Sequence, residues 1–276
     1  MNQKRVNKTG LIDNPIVKYA SLLAVLVLFV TLRWDTWPKT YFADELIPLA
    51  VVKHMEQTGT LDTNWENADW RGDYAGGFYD LRQYNFSSYH VALRGMQWLS
   101  RPWVSAVEPI VFYRACSLIF QGLAVLLLLD LLRRLTAWPQ ALIGGLFLTV
   151  MPQSVIDAHY ARPETFVTLL VTVGMWCGYS SCFAKKWKAV DAVAAMAWGV
   201  AFACKISLLP LAVLAWVFVV LRRLPWRCLV AWWCWFVLGF ALSAPAALLD
   251  LPGFLAGAGI LVAQYSPDVM GAGEAV

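Results

Sequence analysis

The number of membrane crossings is decided by residues 189–221, which read AVDAVAAMAWGVAFACKISLLPLAVLAWVFVVL. As one helix these 33 residues would be about 50 Å long, at ~1.5 Å per residue. The hydrocarbon core of a bilayer is about 30 Å thick and needs roughly 20 helical residues. Basic clusters flank the stretch, with Lys185, Lys186 and Lys188 before it and Arg222, Arg223 and Arg227 after it. Since basic residues favour the cytoplasmic side, we predict two spans joined by an outer turn near 205–210.

The composition of the whole chain indicates a membrane protein. Apolar residues make up 59% of the 276 residues and charged residues 14%, against about 45–50% and about 25% in soluble domains. These values exclude a soluble globular enzyme, a disordered tail and a secreted disulfide scaffold. The net charge of +4 comes from basic residues beside apolar segments, which is typical of membrane topology and not of nucleic-acid binding.

Five further segments are apolar enough to span a bilayer: 16–32, 110–132, 137–156, 165–183 and 228–249. We therefore predict an all-α polytopic bundle of about seven spans, forming one transmembrane domain over 1–276. The basic clusters predict that the N-terminus lies in the cytoplasm. We expect a multi-pass protein of the plasma (inner) membrane. The long polar loop 35–108 then lies outside and is expected to carry amphipathic surface helices.

Two adjacent acids, Asp44 and Glu45, begin the outer loop's first predicted helix. Apolar positions recur at helical spacing from Leu46, and the pattern ends at Gly59. Asp44 has two interpretations: a helix N-cap, for which Asp is favoured, or a catalytic carboxylate. Adjacent residues point about 100° apart on a helix. If one acid is catalytic, we therefore expect the other to bind or orient.

A second group of charges lies in the predicted outer turn 157–164, which reads DAHYARPE. Charges beside hydrocarbon are costly and therefore need a reason. One interpretation is an ion-pair cluster of Asp157, Arg162 and Glu164 that anchors the turn. The other makes Arg162 a phosphate ligand, because its planar fork matches phosphate oxygens. Lys205, in the next outer turn, either snorkels to the headgroups or holds a negative head group.

The order of these features resembles the GT-C superfamily of membrane glycosyltransferases, and within it the family 39-like group of protein O-mannosyltransferases and aminoarabinose transferases. The acidic pair after the first span is similar to theirs. So are HYARPET at 159–165, GVAFACKISLLP at 199–210 and PAALLDLPGFL at 245–255. Because family members continue through further spans, we expect the C-terminal part of the family fold to lie outside these 276 residues, with a second chain as one way to complete it.

The resemblance implies transfer of a sugar from a polyprenyl-phosphate donor to a hydroxyl acceptor at the outer face, with inversion. Asp44 is then the catalytic base, and Arg162 and Lys205 neutralise the lipid phosphate. The other predicted substrate-binding residues are Glu45, His159 and Glu164. Some relatives use a divalent cation, but no metal-ligand pattern stands out in the sequence. The alternative function is a non-catalytic membrane subunit that binds or flips a lipid-linked sugar.

Overall fold

The structure is a computed structural model that describes residues 14–34, 43–63, 87–104, 107–210, 212–213, 217 and 220–264. Within these residues the chain forms eleven α-helices and no strand, which confirms the all-α prediction. The helices are α1 (Pro15–Trp34), α2 (Leu46–Thr58), α3 (Ser88–Val104), α4 (Pro109–Leu135), α5 (Trp138–Val150), α6 (Pro152–His159), α7 (Pro163–Ser181), α8 (Ala189–Cys204), α9 (Trp226–Ser243), α10 (Pro245–Leu249) and α11 (Leu251–Gln264). Short 3-10 turns cover Ala43–Glu45 and Ile206–Leu208.

About seven spans were predicted, and within the described residues three helices are long and apolar enough to cross a membrane: α1, α4 and α9. The pair α5 and α6 qualifies as a fourth crossing when it is taken together, with a bend of 53° between its halves. The segment 137–156 is therefore bent, as in a broken span or a re-entrant loop, and is not a straight helix. The break falls at Pro152, which has no N–H to continue the helical hydrogen bonding. The fold is that of a multi-pass membrane protein.

The predicted pair of segments within 189–221 is supported at both of its ends. Helix α8 stops at Cys204, and the 3-10 turn Ile206–Leu208 lies at the predicted turn. Arg222 then lies beside Asp191 in the first turn of α8, with its Nη1 atom 2.6 Å from Oδ1. The chain therefore returns to the end of the bundle where α8 began. The returning segment lies largely outside the described residues.

The long helices pack in a row. Helix α9 packs on α8, α8 on α7, α7 on α4, α4 on α5, and α5 on α1. Glycines allow the closest crossings: a methyl group at Gly199 of α8 would overlap the carbonyl of Phe236 in α9. Gly144 and Gly145 of α5 likewise face leucine side chains of α4. On α1, an apolar strip of Ile16, Tyr19, Leu23 and Val27 faces outward, as expected towards lipid.

The helix predicted to begin after Asp44 and Glu45 is confirmed. Helix α2 runs over Leu46–Thr58 and ends at Gly59, whose φ of 69° gives a left-handed C-cap. Its buried face packs with α3, α4 and α7 around a shared core that includes Val52, Tyr89 and Phe166. The helix therefore rests on the end of the bundle, and the acids that precede it are held there.

The two ends of the bundle carry different charges. At one end lie the basic clusters: Arg133 and Arg134 pair with Asp130, and Arg222 pairs with Asp191. The opposite end carries the predicted site residues, which belong to the 3-10 turn before α2, the end of α6, the α6–α7 turn, the start of α7 and the position just after α8.

Candidate active site

The 3-10 turn Ala43–Glu45 points its two acids in different directions. The Asp44 side chain is 40% exposed, whereas that of Glu45 is fully buried. Glu45 occupies the N-cap position of α2 and makes no side-chain capping bond there. The interpretation of Asp44 as the N-cap was therefore wrong. The expectation that the two acids cannot do the same job agrees with their different burial.

Glu45 forms a buried ion pair with Arg114. The Arg114 Nε and Nη2 atoms donate to the two carboxylate oxygens at 2.8 and 2.6 Å. The Glu45 Oε1 atom also accepts the backbone N–H of Ala161 at 2.8 Å. Arg114 is 5% exposed, so its side chain does not extend to the lipid headgroups. A buried guanidinium needs a partner at this depth, and Glu45 supplies it.

Arg162 lies at the centre of the exposed part of the site, among three carboxylates. Its guanidinium nitrogens lie 3.4 Å from Asp44 Oδ2, 3.7 Å from Asp157 Oδ1 and 3.5 Å from Glu164 Oε2. The residue is extended, with φ −122° and ψ 152°, and Pro163 begins α7 directly after it. The predicted ion-pair cluster of the turn is therefore present. It also reaches Asp44, which that interpretation did not include.

Lys205 joins the same cluster through Glu164. Its Nζ atom lies 2.9 Å from Glu164 Oε1, and its side chain is 45% exposed. Lys205 follows the last residue of α8, where the backbone leaves the helix. Glu164 therefore holds one cation with each of its oxygens. Asp44, Arg162, Glu164 and Lys205 form a continuous chain of contacts, so the structure brings these four predicted site residues together.

His159 lies in the buried layer of this end. It is the last residue of α6 and is 6% exposed, with Arg33 and Arg114 among its charged neighbours. Arg33 is itself fully buried, and its guanidinium donates to the carbonyl of Thr149 and the hydroxyl of Ser154 at the α5–α6 break. His159 and Glu45 thus lie beneath the exposed cluster that Arg162 and Lys205 form with Asp44.

Sequence reasoning did not assign Arg114 or Asp157 to the site. The signal for Arg114 was a charged residue at the start of an otherwise apolar span, a place where charge is costly. Asp157 is 12% exposed and accepts a hydrogen bond from Gln153 at 2.7 Å, besides its ion pair with Arg162. For a metal, the described residues offer no group of three or more His, Cys, Asp or Glu side chains that could hold an ion.

The comparison with protein families connects this geometry to a class of protein. Residues 107–249, more than half of the chain, match the family described as dolichyl-phosphate-mannose-protein mannosyltransferase. The matched region includes Arg114, Asp157, Arg162, Glu164 and Lys205, and begins after Asp44 and Glu45. The helical membrane fold and this match define a membrane glycosyltransferase of the type that uses polyprenyl-phosphate sugars.

The chain belongs to the dolichyl-phosphate-mannose-protein mannosyltransferase family. Comparison with curated proteins and with solved structures gave no match.

Proposed function

We propose that this protein transfers a sugar from a polyprenyl-phosphate donor to a hydroxyl group, at the non-cytoplasmic face of the membrane and with inversion at the anomeric carbon. One observation carries the proposal: the exposed carboxylate of Asp44 lies 3.4 Å from the guanidinium of Arg162. A proton acceptor and a phosphate-binding cation are thereby next to each other. The family indicates the reaction in which this pair would act, the transfer of a sugar from a polyprenyl phosphate.

Asp44 is the proposed catalytic base. An attacking hydroxyl must lose its proton, and a carboxylate within hydrogen-bond reach can accept it. Asp44 is the most exposed carboxylate of the cluster, at 40%, against 12% for Asp157 and 21% for Glu164. An incoming acceptor therefore reaches Asp44 more easily than the other two acids.

Arg162 and Lys205 are the proposed ligands of the donor phosphate. As the sugar–oxygen bond breaks, negative charge grows on the phosphate, and fixed cations beside it stabilise that charge. Both cations are held by carboxylates of the protein, with Glu164 common to the two. The donor phosphate therefore has to replace carboxylate oxygens around these cations. The ion pairs keep the cations in place until it arrives.

Inversion follows from the proposed division of roles. The phosphate leaves as an anion that the cations stabilise, so a carboxylic acid to protonate it is not needed. The scheme thus differs from the glycosidase pair of an acid and a base or nucleophile. A single in-line attack by the hydroxyl, deprotonated by Asp44, reverses the configuration at the sugar carbon.

The proposed orientation rests on the charge difference between the two ends of the bundle. Arg133, Arg134 and Arg222 lie at the end away from Asp44. Since basic residues favour the cytoplasmic side, the Asp44 end faces outward. The family's description names mannose carried on dolichyl phosphate and a protein acceptor, so these are the first donor and acceptor to try.

The test is donor consumption by the purified protein in lipid vesicles. The donors are polyprenyl phosphates carrying mannose, glucose, galactose or aminoarabinose, offered with a serine- and threonine-containing peptide. Free polyprenyl phosphate and glycosylated peptide are measured by mass spectrometry. We expect the wild-type protein to consume a donor and Asp44→Asn to reduce the rate about 10²- to 10⁴-fold, the usual contribution of a general base.

The control variant is Asp62→Asn, which changes a second, partly exposed aspartate of the outer loop that lies 3.7 Å from His54. It should transfer like the wild-type protein. Equal rates for Asp44→Asn and the wild-type protein would contradict the catalytic assignment. A wild-type protein that binds the donors and consumes none would favour the alternative function, a non-catalytic subunit that binds or flips the lipid.

A further inference from the structure

Glu45 connects three separate parts of the chain through one fully buried carboxylate. It follows Asp44 directly, it forms two hydrogen bonds with Arg114 at the start of α4, and it accepts the N–H of Ala161 in the α6–α7 turn. Ala161 directly precedes Arg162. Asp44 and Arg162 face each other in the exposed site. Asp44 is the neighbour of Glu45 itself, and Arg162 is the neighbour of Ala161, whose N–H is bound by Glu45.

The bond to Ala161 matters because the α6–α7 turn is short. Helix α6 ends at His159 and α7 begins at Pro163, so three residues make the connection. Within it, the Arg162 N–H donates to the Tyr160 carbonyl at 2.9 Å. The Ala161 N–H points to Glu45 instead, and Ala161 is fully buried. The position of this turn in the bundle therefore depends on the Glu45 oxygen, which comes from another part of the chain. The backbone of Arg162, from which its side chain extends, is positioned in the same way.

We propose that Glu45 is a positioning residue for sugar transfer, which holds Asp44 and Arg162 at their mutual distance by joining Ala161 to Arg114. This rests on the proposed function, in which Asp44 and Arg162 act on acceptor and donor. It replaces the expectation from the sequence that Glu45 itself contacts a substrate. Both of its oxygens are engaged by protein donors, and its side chain is fully buried.

A purely stabilising ion pair would not need the bond to Ala161. Replacing a buried ion pair with apolar side chains of similar volume is often neutral or stabilising. Folding and positioning can therefore be tested separately. We expect a variant in which apolar side chains replace the ion pair to fold, and such a variant can be made with or without an acceptor for the Ala161 N–H.

Two double variants make this separation. Glu45→Met/Arg114→Met, the apolar double variant, removes the ion pair and leaves no carboxamide or carboxylate oxygen for Ala161. Glu45→Gln/Arg114→Met, the amide double variant, also removes the ion pair but keeps one side-chain carbonyl oxygen at position 45. Both are prepared as the full chain in lipid vesicles. They are compared for turnover on the polyprenyl-phosphate donor panel, for thermal unfolding, and for amide hydrogen exchange at Ala161.

We expect the amide double variant to turn over donor about 10- to 100-fold faster than the apolar double variant, the scale expected when reacting groups are misplaced by about 1 Å. The loss should appear mainly in kcat, because both variants retain Arg162 and Lys205 for the phosphate. The Ala161 amide should exchange about tenfold faster in the apolar double variant, where it has lost its hydrogen-bond acceptor. Thermal unfolding should not follow this order, because the apolar pair is at least as stable.

Equal turnover and equal Ala161 exchange in the two double variants would overturn the positioning role, as would activity that simply follows thermal stability. The proposed function fails separately, if Asp44→Asn transfers like the wild-type protein or if the wild-type protein consumes no donor. In either of those cases the positioning role is overturned with it, since the reaction that it serves is not the one performed.

Discussion

At the scale of single residues, neighbours in the sequence have very different environments. Asp44 is 40% exposed beside Arg162, whereas Glu45 is fully buried against Arg114. The sequence indicates that an acidic pair follows the first span and that adjacent helical residues point apart. It does not indicate which acid turns inward, because that depends on Arg114, 69 residues later in the chain. The exposed acid, Asp44, is therefore the one to which we assign contact with the acceptor in the proposed function.

The role of the Arg162 fork can be tested by two substitutions. Arg162→Lys keeps the charge and loses the planar pair of donors, and Arg162→Gln loses the charge as well. We expect the donor KM to rise about 10-fold for Lys and about 100-fold for Gln, in line with the strength of charge-assisted phosphate contacts. Steady-state kinetics with the donor panel measure both values.

Arg94 offers a matched control for that measurement. It is 21% exposed, against 22% for Arg162, and it lies 3.6 Å from Glu56 at the α2–α3 contact. Arg94→Gln should leave the donor KM within about twofold, because surface ion pairs contribute little. A similar rise in both Gln variants would mean that Arg162 has no specific part in donor binding.

His90 makes the fold sensitive to acid. It lies in α3, is 3% exposed, and burial lowers its pKa from 6.5 to about 3. The unfolded chain therefore binds a proton between these pH values that the folded protein excludes, and stability falls as the pH drops through this window. At pH 5 the loss is about 2 kcal/mol.

The measurement is thermal unfolding in detergent at pH 7 and pH 5. His90→Phe should show a smaller fall between the two than the wild-type protein, because its side chain does not titrate. His54→Phe, which changes a histidine 21% exposed near Asp62, should fall as the wild-type protein does. The same fall in the His90→Phe variant would rule out His90 as the source.

At the scale of helices, the sequence was most informative where local chemistry sets the boundaries. The end of α2 could be predicted because Gly59 provides the left-handed residue that closes it. The break in the predicted span 137–156 was missed, although Pro152 is visible in the sequence. Proline is tolerated in membrane helices when the freed carbonyls find other donors. Here Arg33, in the last turn of α1, donates to the carbonyl of Thr149. The residues around Pro152 in the sequence could not indicate that contact, because Arg33 lies 116 residues before Thr149.

The close crossing of α8 and α9 gives a prediction at this scale. Gly199→Ala places a methyl group against the Phe236 carbonyl, and backbone cannot move aside as a flexible side chain can. We expect a loss of about 1–3 kcal/mol, as for other overpacked sites. Gly95→Ala in α3 is the control, since a methyl group there meets nothing within 4 Å.

The control should be neutral or slightly stabilising, by up to about 1 kcal/mol, because alanine favours helix more than glycine does. Thermal unfolding in detergent measures both variants. A Gly199→Ala protein as stable as the wild-type protein would show that the two helices are not held this closely.

At the scale of the whole molecule, the charge pattern and the packing agree. The positive charges that flank the apolar segments predicted that the basic clusters lie together, at the end away from the Arg162 cluster. The structure brings Arg134 and Arg222 to one end and the Arg162 cluster to the other. What the sequence could not provide is the meeting of α2, α4, α7 and α8 at the second end. Their chain separations are large, so the cluster had to be inferred from a family resemblance.

The orientation can be tested with a thiol reagent that does not cross membranes. Lys53 of α2 and Lys185 are exposed at opposite ends. We expect Lys53→Cys to be labelled on intact cells and Lys185→Cys to be labelled after the membrane is opened, with the labelling of the native cysteines subtracted. The reverse pattern would place the Asp44 end in the cytoplasm and contradict the proposed orientation.

Under the proposed function, in which Arg162 and Lys205 bind the donor phosphate, the position of Glu164 between them has a consequence for selectivity. Two cations without a carboxylate partner at a bilayer surface would bind the phosphates of ordinary phospholipids, which greatly outnumber the lipid that bears the sugar. A tethered carboxylate competes with these abundant headgroups at a high effective concentration. A lipid that offers a phosphate and nothing more gains little by displacing it. A lipid that also brings a sugar into contact with the surrounding side chains has further binding energy with which to do so.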